Sequence, residues 1–231
     1  MKRFYQQAEP VKRACGYAMT LDGKPVKTPG KRDLLVPNEA LAAAIAEEWN
    51  AQDTEVRAAK MPLTRLAMTT VDRMARQRDA IIRQTANYAE TDLVCYRAVH
   101  PPALAARQHA VWQPLLDWAA LRYDAPLSVT TGVIPTKQSA TSLRAFAAAV
   151  AEHDDFALSA LHVATAACGS LVIGLALIEG QLDAEGAFAA SQLDESFQIE
   201  AWGEDAEQAE RRRALAADIQ AAARLISLLR A

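Results

Sequence analysis

The feature that most constrains this chain is an uncharged run of 23 residues, 156–178. As one helix it would be about 34 Å long, enough to cross a bilayer core of about 30 Å. Acidic residues (Asp154, Asp155 and Glu179) flank the run, and residues 145–210 contain no Lys or Arg that would orient a membrane helix. Four polar residues also interrupt it: Ser159, His162, Thr165 and Ser170. The run therefore predicts a buried helix wrapped by other helices, with a membrane span as the alternative.

The composition predicts a mainly helical protein with an uneven charge distribution. Hydrophobic residues make up 51% of the chain, and alanine, the best helix former, supplies many of them. The formal net charge is −3, yet residues 145–210 carry 13 acidic side chains and no basic one, so the rest of the chain carries +10. This asymmetry disfavours nucleic acid as a partner of the acidic segment and favours a basic protein surface. A merely solvated acidic face would give the same pattern.

Cysteine usage and the N-terminus bear on the cellular compartment. The cysteines (Cys15, Cys95 and Cys168) have no paired or metal-like spacing, and their odd number is typical of a reducing environment. The first residues have neither the apolar core of a signal peptide nor the Ser- and Arg-rich pattern of a transit peptide. We therefore expect a cytoplasmic protein of bacterial type.

Local patterns predict an α+β fold in which strands and one helix come first and the chain is helical from residue 61 onward, and the length allows one large domain or two small ones. Short alternating segments and the turn signal Asp22-Gly23 indicate an antiparallel sheet within residues 3–36. Asn38 is a suitable cap for a helix that packs Leu41, Ile45 and Trp49 on that sheet. The first helix predicted after it starts at Pro62, the second covers about 76–97, and the third starts at Pro101-Pro102 and ends before a loop at 125–138. The later ones cover about 139–152, the stretch from its cap Asp183 to Trp202, and about 205–230, and all are arranged around the central run.

The sequence gives little support for an enzyme. It lacks the glycine-rich nucleotide-binding motifs, the H-E-x-x-H zinc motif and the G-x-S-x-G nucleophile motif, and its four histidines are scattered. We expect no catalytic residue, no metal and no cofactor. One enzymatic alternative stays open: a small-molecule site near Cys95, Tyr96 and Arg97, although a buried, unreactive cysteine is far commoner.

The most informative polar cluster lies within residues 188–203. On a continuous helix, one apolar strip would contain Ala189, Leu193 and Phe197, and an opposite strip would contain Phe188, Ile199 and Trp202. The polar residues between and beside these strips are Ser191, Asp194, Glu195 and Gln198. Packing against the core would bury only one of the two apolar strips, which leaves the other free for a partner. The pattern therefore predicts a partner-binding edge that includes Trp202. A helix packed on both sides, with solvated acids between, is the competing interpretation.

Motifs spread over nearly the whole chain resemble those of a known family, the assembly chaperones of the F-type ATP synthase that handle the α subunit of its catalytic head. The matching positions are 3–5 (RFY), 21–29 (LDGKPVKTP), Glu48-Trp49 with Gln52, 61–64 (MPLT), Tyr88, 91–93 (TDL), 95–97 (CYR), Trp112-x-Pro114-Leu-Leu-x-Trp118, and Leu193-Asp-Glu-x-x-Gln-x-x-x-Trp-Gly203. Their order and spacing together are specific, although no single motif is decisive.

The resemblance implies a non-catalytic monomer that binds the unassembled α subunit, prevents its aggregation and releases it to the β subunit. It also implies a small sheet-containing N-terminal domain, residues 1–60, followed by a larger all-helical domain, residues 61–231, and a mitochondrial location for eukaryotic members. The family's functionally sensitive acidic position falls on Asp194, where Glu is also used. A membrane-anchored assembly factor, with 156–178 as its anchor, is a further alternative.

Overall fold

The N-terminal part of the chain folds into a small antiparallel sheet. The computed structural model describes residues 2–132 and 134–231. Strand β1 (Ala8–Arg13) pairs with β2 (Gly16–Leu21), and β2 also pairs with β3 (Lys24–Pro25) and β4 (Leu35–Val36). The predicted turn between β2 and β3 is confirmed. Asp22 and Gly23 have φ angles of 48° and 79°, as expected for a tight hairpin turn with two residues in the left-handed region.

Helix α1 (Glu39–Asn50) packs on this sheet as its sequence pattern predicts. The Asn38 side chain accepts a hydrogen bond from the backbone N–H of Leu41 and so caps the helix. Leu41, Ile45 and Trp49 are buried. At the other end of the helix, the Asn50 amide exchanges two hydrogen bonds with the backbone of Ala8, at 2.8 and 2.9 Å, which fixes the helix to strand β1.

The rest of the chain is helical. Its elements in chain order are α2 (Pro62–Ala86), β5 (Tyr96–Arg97), α3 (Pro102–Tyr123), β6 (Thr130–Thr131), α4 (Ala140–Ala151), α5 (Asp155–Cys168), α6 (Leu171–Glu179), α7 (Ala184–Ser191), α8 (Leu193–Trp202) and α9 (Ala206–Leu229). The α+β class is therefore confirmed.

The prediction of a separate helix over 76–97 is wrong. Helix α2 runs without interruption to Ala86, because no Gly or Pro stops it before that point. Two short 3-10 segments follow, Asn87–Thr91 and Leu93–Cys95, and the chain then enters β5, which pairs in parallel with β6. The pairing of β5 with β6 has no signal in the sequence, since both strands are only two residues long.

The uncharged run is buried as predicted, but it forms two helices and not one. Helix α5 ends at Gly169, whose φ of 64° lies in the left-handed region, and the Ser170 hydroxyl accepts from the N–H of Ile173 to cap α6. A Cβ at Gly174 would lie 2.5 Å from the Thr165 hydroxyl, so the two helices approach closely only because residue 174 is glycine. Among the helices of the described residues, none combines the length and the apolar character that crossing a membrane requires.

Contacts join the sheet-containing part to the helical part. The Asn38 amide donates to the backbone carbonyl of Leu228 on α9 at 2.8 Å. Asp72 on α2 accepts hydrogen bonds from the Thr28 hydroxyl and the Gly30 N–H, at 2.6 and 2.8 Å. The division into domains 1–60 and 61–231 stays a prediction.

Candidate partner-binding site

The polar cluster singled out in the sequence lies on two short helices. Asp183 caps α7 by accepting from the Gly186 N–H at 2.7 Å, as predicted. The helix then stops at Ser191, whose hydroxyl donates to the Phe188 carbonyl, and Gln192 separates it from α8 with φ −107° and ψ 23°. The prediction of one helix over 183–202 is therefore wrong, and the two opposite apolar strips do not continue through Gln192.

The five predicted site residues have different environments. Asp194 and Glu195 are half-buried in the first turn of α8, and Gln198 is exposed further along it. Trp202, at the end of the helix, is 82% exposed, which is unusual for so large an apolar side chain. Ser191 is only 4% exposed and its hydroxyl bonds to the backbone of α7, so the structure turns it away from any partner.

Gln108 on α3 holds the Asp194 carboxylate in place. Its side-chain N–H donates to Asp194 Oδ1 at 2.8 Å. Its side-chain oxygen accepts from the Ala98 N–H at 2.7 Å, which fixes the orientation of the amide. Gln108 is fully buried, so Asp194, which is half-buried, joins α8 to the interior of the helical part. Nothing in the local sequence marks Gln108 as part of this site.

Arg97 lies beneath the same site. It is 9% exposed, donates through Nη1 to the Gln108 carbonyl at 2.8 Å, and stacks its guanidinium 5.2 Å from the ring centre of Trp112. Burial lowers the pKa of Arg97, and the negative charge of Asp194 opposes that shift. Its Nη2 has no hydrogen-bond partner among the residues that the structure describes. The 95–97 motif therefore supports the Asp194 site and contributes a buried positive charge to it.

Arginines neutralise part of the acidic surface. Arg107 on α3 forms a bidentate pair with Glu200, at 2.7 and 2.9 Å, and stacks on Phe197. The hydrogen bonds from Arg107 hold the pKa of Glu200 below its usual value. Glu195 lies 3.8 Å from Arg211 of α9. Over residues 2–132 and 134–231, by contrast, Asp194 has no Lys, Arg or His within ion-pair distance.

An apolar groove lies beside Asp194, between α3, α7 and α8. Its volume is about 420 Å³. Its apolar walls include Val111, Leu115, Leu182, Ala189, Ala190 and Leu193. The Trp112 indole N–H donates to the Ala190 carbonyl at 2.8 Å and fixes α7 against α3, which sets the width of the groove.

The environment of Cys95 argues against the enzymatic alternative. The thiol is buried, and that burial raises its pKa to about 12, so it stays protonated and poorly nucleophilic near neutral pH. The His162 ring forms a 2.9 Å hydrogen bond with the Thr85 hydroxyl, and burial lowers the pKa of His162. Within the described residues, no group of three or more His, Cys, Asp and Glu side chains is arranged to hold a metal ion.

We expect one fast-reacting thiol in the native protein. Cys15 is exposed, whereas Cys95 and Cys168 are buried and each has its pKa raised to about 12 by that burial. Titration with a chromogenic disulfide reagent should therefore label Cys15 alone, and all the thiols only after unfolding in urea. The control is Cys15→Ser, which should abolish the fast phase. A fast phase that persists in this variant would restore Cys95 as a candidate nucleophile.

Comparison with known proteins gives a consistent result. The family model described as "ATP12 chaperone protein" matches residues 2–120. The chain is 25% identical over 195 residues to "Protein atp12, mitochondrial" of Schizosaccharomyces pombe, an alignment that covers 79% of this chain and 67% of that protein. The crystal structure of Atp12 from Paracoccus denitrificans superposes with a TM-score of 0.94 at 43% identity and covers 98% of this chain and 97% of that one. An aspartate-to-lysine mutant of the Paracoccus protein superposes with a TM-score of 0.93 at 42% identity, with the same coverage.

Proposed function

Because the chain belongs to the ATP12 chaperone family, we propose that it binds the unassembled α subunit of the F-type ATP synthase and releases it to the β subunit. Members of this family are ATP synthase assembly chaperones and not enzymes. The observation that carries the proposal is the Asp194 carboxylate, which Gln108 holds in the first turn of the short helix that ends at the exposed Trp202. We assign the client contact to these two residues together with Glu195 and Gln198.

The physical logic of such a chaperone follows from the state of its client. An unassembled subunit exposes a large apolar interface that is meant for a neighbour, and such a patch aggregates unless it is covered. A substitute surface that forms a smaller interface than the true partner can be displaced by that partner without any nucleotide. The exposed indole of Trp202 supplies apolar area, and Asp194 supplies a charge that selects basic or donor-rich surfaces.

The organisation of the chain is part of the proposal. The contact residues all lie within 61–231, which we propose as the client-binding domain, and residues 1–60 form the second domain. We propose that the protein acts as a monomer in the cytoplasm of a bacterial cell.

Charge reversal at Asp194 should weaken client binding strongly. In Asp194→Lys the positive charge would face a basic client surface, and losing one member of a buried interface pair costs about 2–5 kcal/mol of binding free energy. The variant also leaves the Gln108 N–H without its acceptor, which costs about 1–3 kcal/mol of folding stability. The measurement is suppression of α-subunit aggregation by each variant, alongside the variant's own melting curve.

Two further variants separate charge from structure. Asp194→Asn keeps an oxygen that can accept from Gln108 but removes the charge, so it should fold like the wild type and bind the client more weakly. Asp194→Glu keeps the charge and should be tolerated. If the lysine variant protects the α subunit as well as the wild type does, Asp194 is not a contact. If it melts early while its folded fraction still protects the α subunit, Asp194 is a structural acid.

Co-expression tests the choice of client directly. The chaperone is produced together with differently tagged α and β subunits, and the retained subunit is identified after purification through the chaperone. We expect α to be retained when β is limiting, and release of α when β is added in excess. Retention of β alone would refute the assignment of the client.

A further inference from the structure

We infer that the groove between α3, α7 and α8 receives the apolar face of an amphipathic helix of the client, with a Lys or Arg of that helix at the groove's acidic rim. This inference rests on the proposed function, because it names the part of the α subunit that the site would recognise. It adds a second element to the Asp194 contact: an apolar recess that gives the client a defined orientation.

The shape of the groove fits a helix. The residues that line it on α3 are four apart (Arg107, Val111 and Leu115), so the groove follows α3 for about 12 Å, or slightly more than two helical turns. Its volume of about 420 Å³ is in the range of small-molecule pockets, about 300–1,000 Å³, so the groove has room for anchor side chains of a helix and not for the whole helix. Grooves between helices typically accept an amphipathic helix through anchors spaced three or four residues apart.

The walls of the groove are mostly apolar. Leu115 and Leu193 are buried, whereas Val111 and Ala189 are exposed. Over the part of the chain that the structure describes, Arg107 is the only charged residue that lines the groove, and Glu200 neutralises it through two hydrogen bonds. An occupant with an uncharged apolar face therefore matches the interior.

The rim of the groove is acidic, in contrast to its apolar walls, and this indicates that the partner is basic. Asp183 and Glu185 precede the groove residue Gly186 on α7, and Asp194 and Glu195 lie between the groove residues Leu193 and Ser196. Glu195 has an arginine 3.8 Å away, but the other three form no ion pair among the described residues. Three acids that adjoin groove residues in the sequence and form no ion pair complement a helix that carries Lys or Arg next to its apolar face.

Filling the groove should block the client. Ala189 is exposed on α7 and lines the groove, so the indole of Ala189→Trp would occupy the recess without disturbing the core. We expect the chaperone concentration that gives half-maximal protection of the organism's own α subunit to rise at least about tenfold, as for the loss of an interface hot spot. The matched control is Ala217→Trp, the same substitution at an exposed position of α9, which should protect like the wild type.

A charge-reversal pair tests the rim. Glu185→Lys should weaken protection, and the defect should grow as salt is lowered, because like charges are screened less at low ionic strength. Asp218→Lys, at an exposed position of α9, is the matched control and should have no effect. Equal protection by Glu185→Lys and wild type at low salt would exclude a basic partner at the rim.

The outcomes separate this inference from the proposed function. If the wild type protects the α subunit and Ala189→Trp, with an unchanged melting temperature, protects it equally well, the groove is not the docking site although the client is correct. If the wild type does not protect the α subunit at all, the proposed function and this inference both fail. Sizing of the chaperone alone completes the test: a wild-type dimer that Ala189→Trp converts to a monomer would show that a second copy of the chain fills the groove, and would overturn the inference.

Discussion

Trp49→Arg is expected to abolish stable folding rather than to remove a client contact. Trp49 is 7% exposed, packs edge-on against Tyr5 with ring centres 5.6 Å apart, and its backbone carbonyl accepts the Tyr5 hydroxyl at 2.7 Å. Truncating a buried Trp costs about 3–5 kcal/mol, and burying a charge without a partner costs more. Total stabilities are only about 5–15 kcal/mol, so the variant should be largely unfolded or poorly expressed.

The charges around Trp49 strengthen this expectation. The guanidinium of Arg3 lies 4.8 Å from the Tyr5 ring centre, and Lys24 and Lys27 line the same cavity of about 350 Å³. An arginine at position 49 would be repelled by the positive charges of Arg3, Lys24 and Lys27. Asp22 also lines the cavity, but it already accepts hydrogen bonds from the backbone of Gln6 and Gln7, which hold its pKa below the usual value.

Trp49→Phe is the matched control. The Trp49 indole N–H has no hydrogen-bond partner among the described residues, so removing it sacrifices ring volume but no hydrogen bond. Circular-dichroism melts of the three proteins provide the measurement, and the phenylalanine variant should melt within a few degrees of the wild type. An arginine variant that melts like the wild type but fails to protect the client would show that Trp49 is a contact residue and not a core residue.

Removal of the Asp92 carboxylate should destabilise the fold by a similar amount. Asp92 is completely buried and accepts from the N–H of Val94 at 3.2 Å and of Val172 at 3.0 Å. It thereby caps the second 3-10 segment, Leu93–Cys95, and ties it to the start of α6, 80 residues further on. Asp92→Ala leaves two buried N–H groups without acceptors, at about 1–3 kcal/mol each. Urea unfolding should show a loss of about 2–6 kcal/mol in the free energy of unfolding.

The size of that loss should depend on pH. Burial raises the pKa of Asp92 from 3.8 to about 6, against the opposing hydrogen bonds from Ser170, Val172 and Val94. Because the pKa of Asp92 is higher in the folded state, between these two pH values the folded state binds a proton that the unfolded state has already lost. The stabilisation from protonation of Asp92 is therefore complete below pH ~3.8 and is lost as the pH rises through about 6. Asp92→Ala should therefore cost more at about pH 5 than at about pH 7.5.

Asp218→Ala is the control for this pair of measurements. Asp218 is exposed on α9, and its loss should change the free energy of unfolding by less than about 0.5 kcal/mol at either pH. A destabilisation by Asp92→Ala that is larger at the higher pH would contradict the assignment of Asp92 as a buried acid with a raised pKa.

Features with a local cause were predictable from the sequence alone. Asn38 and Asp183 cap helices because a side-chain oxygen reaches an N–H three residues along, whatever the rest of the fold does. The Asp22-Gly23 turn depends on two adjacent residues, and the buried face of α1 depends on a spacing of four. The family motifs are likewise read in order along the chain.

The breaks inside apolar or mixed runs were not predictable in the same way. At Gly169 and at Gln192 the sequence continues a helical pattern, and the helices nevertheless stop. The turn at Gly169 brings Ser170 into position to cap α6 and lets α5 and α6 pack side by side. The free energy of that packing is available only when both helices are folded, so no local pattern indicates it. The interruption at Gln192 similarly places Asp194 and Trp202 on α8, a helix separate from α7.

The surroundings of the candidate site were decided by tertiary structure. The sequence by itself determined that Asp194, Glu195, Gln198 and Trp202 lie on a helix that ends at Trp202, since their spacing and the acidic segment are local properties. It did not determine that Gln108, 86 residues away, holds the Asp194 carboxylate, nor that α3 supplies one wall of the groove. Such contacts depend on how distant helices pack. The local sequence around Gln108 does not differ from that around an exposed glutamine on a helix, so it does not show that Gln108 is buried.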